Sequence, residues 1–288
     1  MNPMNPVRLN QARALPALLL ATFAALLATA ANTRADEVSV AVAANFAGPL
    51  AKVGEGFTSA TGHTLKISAG STGKAYAQIV AGAPFELLIA ADDETPKKLI
   101  AEGLAVRGSN FTYAIGKLVL WSAQPGYVDD QGAVLTAGKF THLAIANPKL
   151  APYGRAGMQV IKARGLADVM APKLVTGESL AQAYQFVATG NAELGFVALS
   201  QVIGAGSSQA DARPQGAAAP KAAGGPCSRP GEAVIGSCWL VPAALYGEIR
   251  QDAVLLKAGE KSPAAIALLA YLKSAPAKAV IQACGYGH

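Results

Sequence analysis

The chain has 288 residues, of which 52% are hydrophobic and 15% are charged, and its formal net charge is +6. A chain of this length can bury a large core, in one domain or in two lobes. It contains no arginine-rich block with interleaved aromatic residues, which argues against nucleic acid as a partner.

The first 35 residues have the parts of a secretory signal peptide. Arg8 and Arg13 form a basic start, Leu15 to Ala30 is an apolar run, and small residues precede two cleavage points, after Ala30 and after Ala35. An apolar run of 16 residues is short for a membrane span, and no later stretch reaches spanning length. Removing this peptide takes away three basic side chains and no acidic one, so the net charge falls from +6 to +3. We therefore expect a soluble, exported mature chain.

After the signal peptide, short apolar strands alternate with amphipathic helices. The predicted strands are Glu37 to Ala43, Thr64 to Ser68, Glu86 to Ala90, Lys117 to Ser122, His142 to Ala146 and Leu194 to Leu199. The predicted helices lie near Pro49 to Ser59, Gly73 to Val80, Pro96 to Glu102, Ala156 to Ala163 and Leu180 to Ala188. This alternation favours an α/β fold in which helices cover mostly parallel sheets.

Residues 204–231 depart from this alternation. They are rich in glycine, alanine, proline and serine and hold almost no large apolar residue, which predicts a mobile surface loop. After the loop, Trp239 to Leu256 returns to strand-like sequence. The stretch from Pro263 to Cys284 predicts one or two closing helices.

The three cysteines lie late in the chain, where an exported protein is expected to form one disulfide. A bond from Cys227 to Cys238 would close a short loop, whereas one from Cys238 to Cys284 would join two distant segments, and the sequence leaves both open. The cysteine spacing does not match a zinc ligand set. The histidines are scattered along the chain: His63, His142 and His288. We therefore expect no site for a metal cation.

The stretch SAGSTGKAYAQI combines glycines, a Gly-Lys pair and a following helical pattern, as a nucleotide-binding phosphate loop does. A phosphate loop needs a glycine five residues before the Gly-Lys pair and a serine or threonine after the lysine. Ser68 and Ala75 occupy these two positions, so the nucleotide interpretation fails. What remains is a strand, a turn with hydroxyls at Ser71 and Thr72, and a helix start whose unpaired N–H groups attract an anion.

Three other strand-to-helix turns have the same form. They are Ala44-Asn45 before the helix of Pro49, residues 147–154 before the helix of Met158, and residues 176–179 before Leu180. Ordinary helix capping explains any one of them alone. Four such turns in two halves of the chain indicate a ligand site, because ligands of open α/β sheets bind at the carboxyl ends of the strands.

Five blocks of the chain resemble successive blocks of the periplasmic molybdate-binding proteins of ABC importers. They are VAVAANFAGPL, SAGSTGKAYAQIVAGAPFELLIAADDETPKKLIAEGLA, FTYAIGKLVLWS, LAIANPKLAPYGRAG and GNAELGFVALSQV. The resemblance implies a two-lobed periplasmic binding protein, a type II-like clamshell in which each lobe is a mostly parallel sheet flanked by helices. It places residues 36–112 and 241–288 in lobe I and residues 113–240 in lobe II, after the signal peptide at 1–35.

The resemblance also implies which residues hold the bound oxyanion. The implied ligands are Asn45 through its side-chain amide, Ser71 or Thr72, Tyr153, and the backbone of Leu180. Ala198 stands where many members have a tyrosine, so one hydroxyl donor is missing, and we expect Tyr153 to replace it from the facing turn. Lys74 and Arg155 lie beside the turns, and we expect both charges to be solvated.

The implied function is a periplasmic, monomeric substrate-binding protein that captures molybdate or tungstate and delivers it to the membrane permease of an ABC importer, without a cofactor. None of the four turns places a carboxylate at an implied ligand position. Phosphate normally keeps a proton and needs such an acceptor, so this donor set favours a fully deprotonated oxyanion. Sulfate, another oxyanion or a small organic acid is the alternative ligand.

A hydrolase is a further alternative. Ser71, Asp92 and His142 supply the residue types of a catalytic triad. The chain has no Gly-x-Ser-x-Gly elbow, and no motif brings the three residues together. We therefore expect a binding protein and not an enzyme.

Overall fold

The computed structural model describes residues 35–203, Cys227 and residues 236–287. The predicted signal peptide and nearly all of the predicted loop at 204–231 lie outside these residues. The described chain forms two five-stranded sheets.

Ten strands make up the two sheets. They are β1 Glu37–Ala43, β2 Thr64–Gly70, β3 Leu87–Ile89, β4 Phe111–Gly116, β5 Leu118–Ser122, β6 Leu143–Ala146, β7 Leu174–Gly177, β8 Leu194–Ala198, β9 Ser237–Leu240 and β10 Ile249–Leu255. The first sheet has the order β2-β1-β3-β10-β4 and the second has the order β7-β6-β8-β5-β9.

Both sheets have the same internal plan. β1 pairs in parallel with β2 and β3, and β10 then runs antiparallel to both β3 and β4. In the second sheet β6 pairs in parallel with β7 and β8, and β5 runs antiparallel to β8 and β9. The predicted α/β class is confirmed, and each parallel part is extended by one reversed strand, β10 or β5, and by an edge strand, β4 or β9, that pairs antiparallel with it.

Ten helices are described. They are α1 Ala47–Thr61, α2 Thr72–Val80, α3 Glu94–Ala101, α4 Ala133–Ala137, α5 Pro152–Ala163, α6 Ala167–Met170, α7 Leu180–Ala188, α8 Leu199–Ile203, α9 Pro263–Tyr271 and α10 Ala275–Ala283. Within the described ranges no single helix is long and apolar enough to cross a membrane. Helices α9 and α10 reach such a length and composition only when they are taken together, and the chain bends by 62° between them.

The central strands are buried along their whole length, which indicates that both faces of the sheets are covered by helices. Every residue of β3, β5, β6 and β8 is buried. Runs of this kind belong to strands that are packed on both sides. The apolar stripe of α7 is buried at helical spacing, and Tyr184 of that stripe stacks on Trp121 of β5 with ring centroids 4.7 Å apart.

The chain passes between the two sheets twice. β4 ends the first sheet at Gly116, and β5 begins the second sheet at Leu118. The chain returns between β9, which ends at Leu240, and β10, which begins at Ile249. The lobe boundaries stay a prediction. Because β4 pairs with β10 as far as Gly116, the chain leaves the first sheet after this residue, and not after residue 112 as the sequence suggested. Below, lobe I and lobe II denote the first and the second sheet with their helices.

The cysteine pairing that the sequence left open is a disulfide between Cys227 and Cys238, with Cα atoms 6.2 Å apart. Cys238 lies in β9, an edge strand of the second sheet. Both cysteines are buried against the core of lobe II. The disulfide therefore anchors Cys227 to the second sheet.

We predict that the double variant Cys227→Ser/Cys238→Ser unfolds with a free energy lower by about 2–3 kcal/mol, because a bond across a separation of 11 residues restricts the unfolded chain. Urea unfolding monitored by circular dichroism measures this loss. Reductant should lower the stability of the wild type to that of the variant and leave the variant unchanged. Equal stability of the two proteins without reductant would contradict the prediction.

Candidate functional site

A small cavity lies where helix starts of the two lobes face each other. Its lining residues come from both lobes: Ala43, Ala44, Asn45, Gly70, Ser71, Thr72, Ala91, Ala151, Pro152, Tyr153 and Leu180. We call this space the central cavity. The structure brings all five residues that the sequence analysis named as oxyanion ligands to its wall. Their role as ligands stays a proposal.

Four chain segments enter helical structure at the central cavity. A 3₁₀ turn, Ala44–Phe46, leads from β1 into α1, and α2 begins at Thr72. From lobe II, α5 begins at Pro152 and α7 begins at Leu180. The first N–H groups of a helix have no partner within the helix and carry a partial positive charge. The cavity is therefore surrounded by groups that attract an anion.

The start of α2 contributes two buried hydroxyl groups. Ser71 caps the helix, and its Oγ accepts a hydrogen bond from the backbone N–H of Lys74 at 3.4 Å. The Oγ1 of Thr72 accepts from the backbone N–H of Ala91 at 3.0 Å. Because each oxygen accepts a bond from the protein, each hydroxyl hydrogen can be donated to a ligand.

Tyr153 brings a third hydroxyl from lobe II to the same space. Its side chain is buried, and its hydroxyl oxygen accepts from Nε2 of Gln251 at 3.1 Å. Burial raises the pKa of Tyr153 well above its ordinary value. A raised pKa means that the phenol keeps its proton through the neutral range, so it is a hydrogen-bond donor there.

Asn45 is placed at the cavity, but its side-chain amide is already used within the protein. The Nδ2 group donates to Oε1 of Gln251 at 2.9 Å and to the hydroxyl of Tyr286 at 3.0 Å. An amide nitrogen has only two hydrogens. Both hydrogens of the amide therefore have partners within the protein, so its donation to a ligand stays a prediction, and the backbone N–H groups at the start of the Ala44–Phe46 turn are further candidate donors.

The wall of the central cavity carries no ionisable carboxylate or basic side chain among the residues described. Charges lie around it instead. Arg155, expected to be solvated, is only half exposed and lies 3.5 Å from Asp92 and 3.8 Å from Glu94 of lobe I. Lys74 of lobe I is exposed, as expected, and lies 3.7 Å from Glu178 of lobe II. These pairs join the two lobes at the rim.

A backbone hydrogen bond also joins the lobes next to the cavity. The N–H of Gly73, in the first turn of α2, donates to the carbonyl of Leu150 at 2.9 Å. Leu150 lies in the turn before α5, and a Cβ atom on Gly73 would approach the Leu150 backbone to 3.0 Å. Gly73 therefore permits the close approach that this bond needs, and the lobes are in contact in this structure.

Comparison with known proteins agrees with this geometry. The profile of the bacterial extracellular solute-binding proteins matches residues 38–287. The molybdate-binding protein ModA of Azotobacter vinelandii is 54% identical over 270 residues, which are 94% of this chain and 96% of that protein. The chain belongs to the periplasmic molybdate-binding protein family. ModA of Rhodobacter capsulatus is 48% identical over 252 residues, 88% of each chain.

A solved structure of this molybdate-binding protein family has the same fold. The periplasmic molybdate-binding protein of Azotobacter vinelandii matches with a TM-score of 0.75 at 42% identity, over 87% of this chain and 99% of that chain. The resemblance stated from the sequence and the two-lobed periplasmic binding protein fold are both confirmed. These relatives are binding proteins by name.

Ala198, the departure from the common molybdate-binding protein pattern, is fully buried in β8. Its backbone N–H donates to Oε1 of Gln201 at 3.2 Å, and Nε2 of Gln201 donates to the carbonyl of Leu180 at 3.4 Å. The side chain of Gln201 thus connects the backbone of β8 to the first residue of α7. Tyr153 brings a hydroxyl to the cavity from lobe II, and its replacement of the missing tyrosine stays a prediction.

The residues of the alternative hydrolase triad do not meet. Ser71 lies at the carboxyl end of β2, and Asp92 follows β3. His142 lies exposed before the amino end of β6, and its backbone N–H donates to Glu193. The four residues of β6 extend about 13 Å and separate His142 from the turn that carries Tyr153. Among the described residues no cluster of His, Cys, Asp and Glu is arranged for a metal ion.

The sequence analysis missed four polar residues that surround the ligand-facing groups: Tyr113, Ser200, Gln251 and Tyr286. The Oε1 of Gln251 lies 2.9 Å from the hydroxyl of Tyr113, and the hydroxyl of Tyr286 lies 2.9 Å from Oγ of Ser200. The available signal was the Gln-Asp pair directly before the apolar run AVLL in a strand-like stretch. A polar residue buried in a strand requires partners, and Gln251 is completely buried.

We predict that Gly116→Ala lowers the free energy of unfolding by about 1–3 kcal/mol, as overpacking of a core does. A Cβ atom at this position would overlap the hydroxyl of Tyr153 and Nε2 of Gln251. Thermal unfolding of the ligand-free protein measures the loss. Gly48→Ala is the matched control, because a Cβ there meets nothing within 4 Å and α1 tolerates alanine. Wild-type stability of the Gly116 variant would contradict the prediction.

Proposed function

We propose that this chain is a periplasmic substrate-binding protein that captures molybdate or tungstate in the central cavity and delivers it to the membrane permease of an ABC importer. The observation that carries the proposal is the composition of the cavity wall. Hydroxyl groups and helix starts from both lobes face one space, and none of the lining residues is a carboxylate. The close relatives named as molybdate-binding proteins support the same ligand.

The chemistry of the ligand matches such a wall. Molybdate and tungstate are tetrahedral dianions without a proton near neutral pH, so their four oxygens only accept hydrogen bonds. A partly protonated anion such as hydrogen phosphate also donates, and is held best by a carboxylate acceptor, which the wall lacks. Oriented dipoles can hold a dianion without a buried counter-ion. The donor set therefore favours a fully deprotonated oxyanion.

Binding from both lobes explains how the ligand controls the conformation. The donors of α2 belong to lobe I, whereas Tyr153 and the start of α7 belong to lobe II. An anion that contacts both sets stabilises the closed arrangement over an open one, because only the closed arrangement provides all the contacts. The permease then recognises the closed, loaded form. In this role the protein is an exported monomer, uses no cofactor and catalyses no reaction.

Calorimetric titration tests the ligand. We predict that molybdate and tungstate bind tightly to the mature chain, that sulfate binds more weakly because it is smaller, and that phosphate gives no measurable heat. Tight binding of phosphate without binding of molybdate would contradict the proposal. Tight binding of sulfate alone would support the alternative oxyanion.

We predict that Ser71→Ala weakens molybdate binding by roughly 1.5–3 kcal/mol, about tenfold or more, because one charge-assisted hydrogen bond is lost. The substitution also removes a helix cap, which costs about 1 kcal/mol of folding stability. Ser262→Ala is the matched control, because Ser262 caps α9 in the same way and does not line the central cavity.

Calorimetry and thermal unfolding of both variants separate the two effects. Both should lose similar stability, and only Ser71→Ala should lose affinity. Equal affinity of the two variants would remove Ser71 from the set of ligands.

A further inference from the structure

Gln251 is the centre of a buried hydrogen-bond network behind the central cavity. It lies in β10 with no exposed surface and is not part of the cavity wall. Its Oε1 accepts from Asn45 and shares the single hydrogen of the Tyr113 hydroxyl with the carbonyl of Ala90, and its Nε2 donates to Tyr153. The amide thus links a turn of lobe I to the phenol that lobe II presents to the ligand.

The order of donors in this network begins at a group that cannot be reversed. The backbone carbonyl of Asn45 only accepts, and the hydroxyls of Tyr286 and Ser200 lie 2.8 and 3.0 Å from it. A phenol has one hydrogen. Because Tyr286 donates that hydrogen to the carbonyl, its oxygen accepts the bond from the side-chain amide of Asn45. The side-chain amide of Asn45 is therefore oriented with Nδ2 toward Tyr286 and Gln251.

The same order continues to the cavity. The second hydrogen of the Asn45 amide requires an acceptor, so Gln251 presents Oε1 to it and turns Nε2 toward Tyr153. The hydroxyl oxygen of Tyr153 accepts that bond. Its single hydrogen is therefore directed elsewhere, and the hydroxyl lines the central cavity.

We propose that Gln251 is a positioning residue for oxyanion binding, which makes the Tyr153 hydroxyl a donor toward the ligand by donating to its oxygen from behind. This inference rests on the function proposed above and deepens it. Ser71 and Thr72 follow the same rule, since each hydroxyl oxygen accepts a backbone N–H and keeps its hydrogen for the cavity. The protein thus supplies donors to the ligand from three hydroxyls whose direction is set by hydrogen bonds from other protein groups.

The substitution Gln251→Glu tests this role because it keeps one oxygen for Asn45 and Tyr113 and replaces the donor that faces Tyr153 by an oxygen. Tyr153 then donates its hydrogen to the carboxylate and turns a lone pair to the ligand. We expect molybdate binding to weaken about a hundredfold, from the loss of a charge-assisted bond and the repulsion that replaces it. Gln251→Met, which cannot ionise, should weaken binding about tenfold.

A double-mutant cycle with Tyr153→Phe distinguishes positioning from a merely structural role. Without the hydroxyl there is nothing for Gln251 to orient, so the uncharged Gln251→Met should cost clearly less affinity in the Tyr153→Phe protein than in the wild type. Gln131→Glu is the matched control for added charge, because Gln131 is exposed and lines none of the described cavities. Circular dichroism confirms that each variant is folded.

The outcomes separate the two proposals. If wild type binds molybdate and the loss caused by Gln251→Met largely disappears in the Tyr153→Phe protein, Gln251 acts through Tyr153. If neither substitution weakens binding, or if the full loss persists without the Tyr153 hydroxyl, the positioning role is overturned while the proposed function stands. A wild type that binds no molybdate contradicts the proposed function itself.

Discussion

The structure depends on the convergence of helix starts from two separate sheets on one small space. Parallel strands place the turns that follow them at the same edge of a sheet, and both sheets direct that edge to the central cavity. Unpaired N–H groups and capping hydroxyls therefore collect there without any charged side chain in the wall. Because neither sheet alone supplies the whole donor set, the proposed binding at this place would be coupled to the contact between the lobes.

The neutral wall is supported by a fully satisfied polar layer. Among the residues described, no buried side-chain nitrogen or oxygen lacks a hydrogen-bond partner. Burial raises the pKa values of Tyr113 and Tyr153 well above the ordinary value and also raises that of Tyr286, so these phenols remain protonated. A satisfied network of neutral groups keeps each hydroxyl in one direction, whereas a partly satisfied network would allow several.

The charges have a different place and a different role. Arg155 and Lys74 lie at the rim, where their pairs with acidic residues of the facing lobe are partly or largely exposed. Exposed pairs of this kind contribute little stability, and salt screens them. They can guide the approach of the lobes without holding them shut. In the proposed function, the main stabilisation of the closed arrangement over the open one would then come from the bound anion.

The sequence was sufficient to predict the α/β class, the strand-to-helix turns and five of the residues that line the cavity, because these follow from local periodicity and from the recognisable family blocks. It did not determine the direction of the Asn45 amide, the pairing of Arg155 or the position of Gln251. Asn45 and Gln251 are 206 residues apart, and their bond exists only because β1 and β10 both flank β3 in one sheet. The orientation of these polar groups depends on the tertiary structure, because their hydrogen-bond partners are distant in the chain.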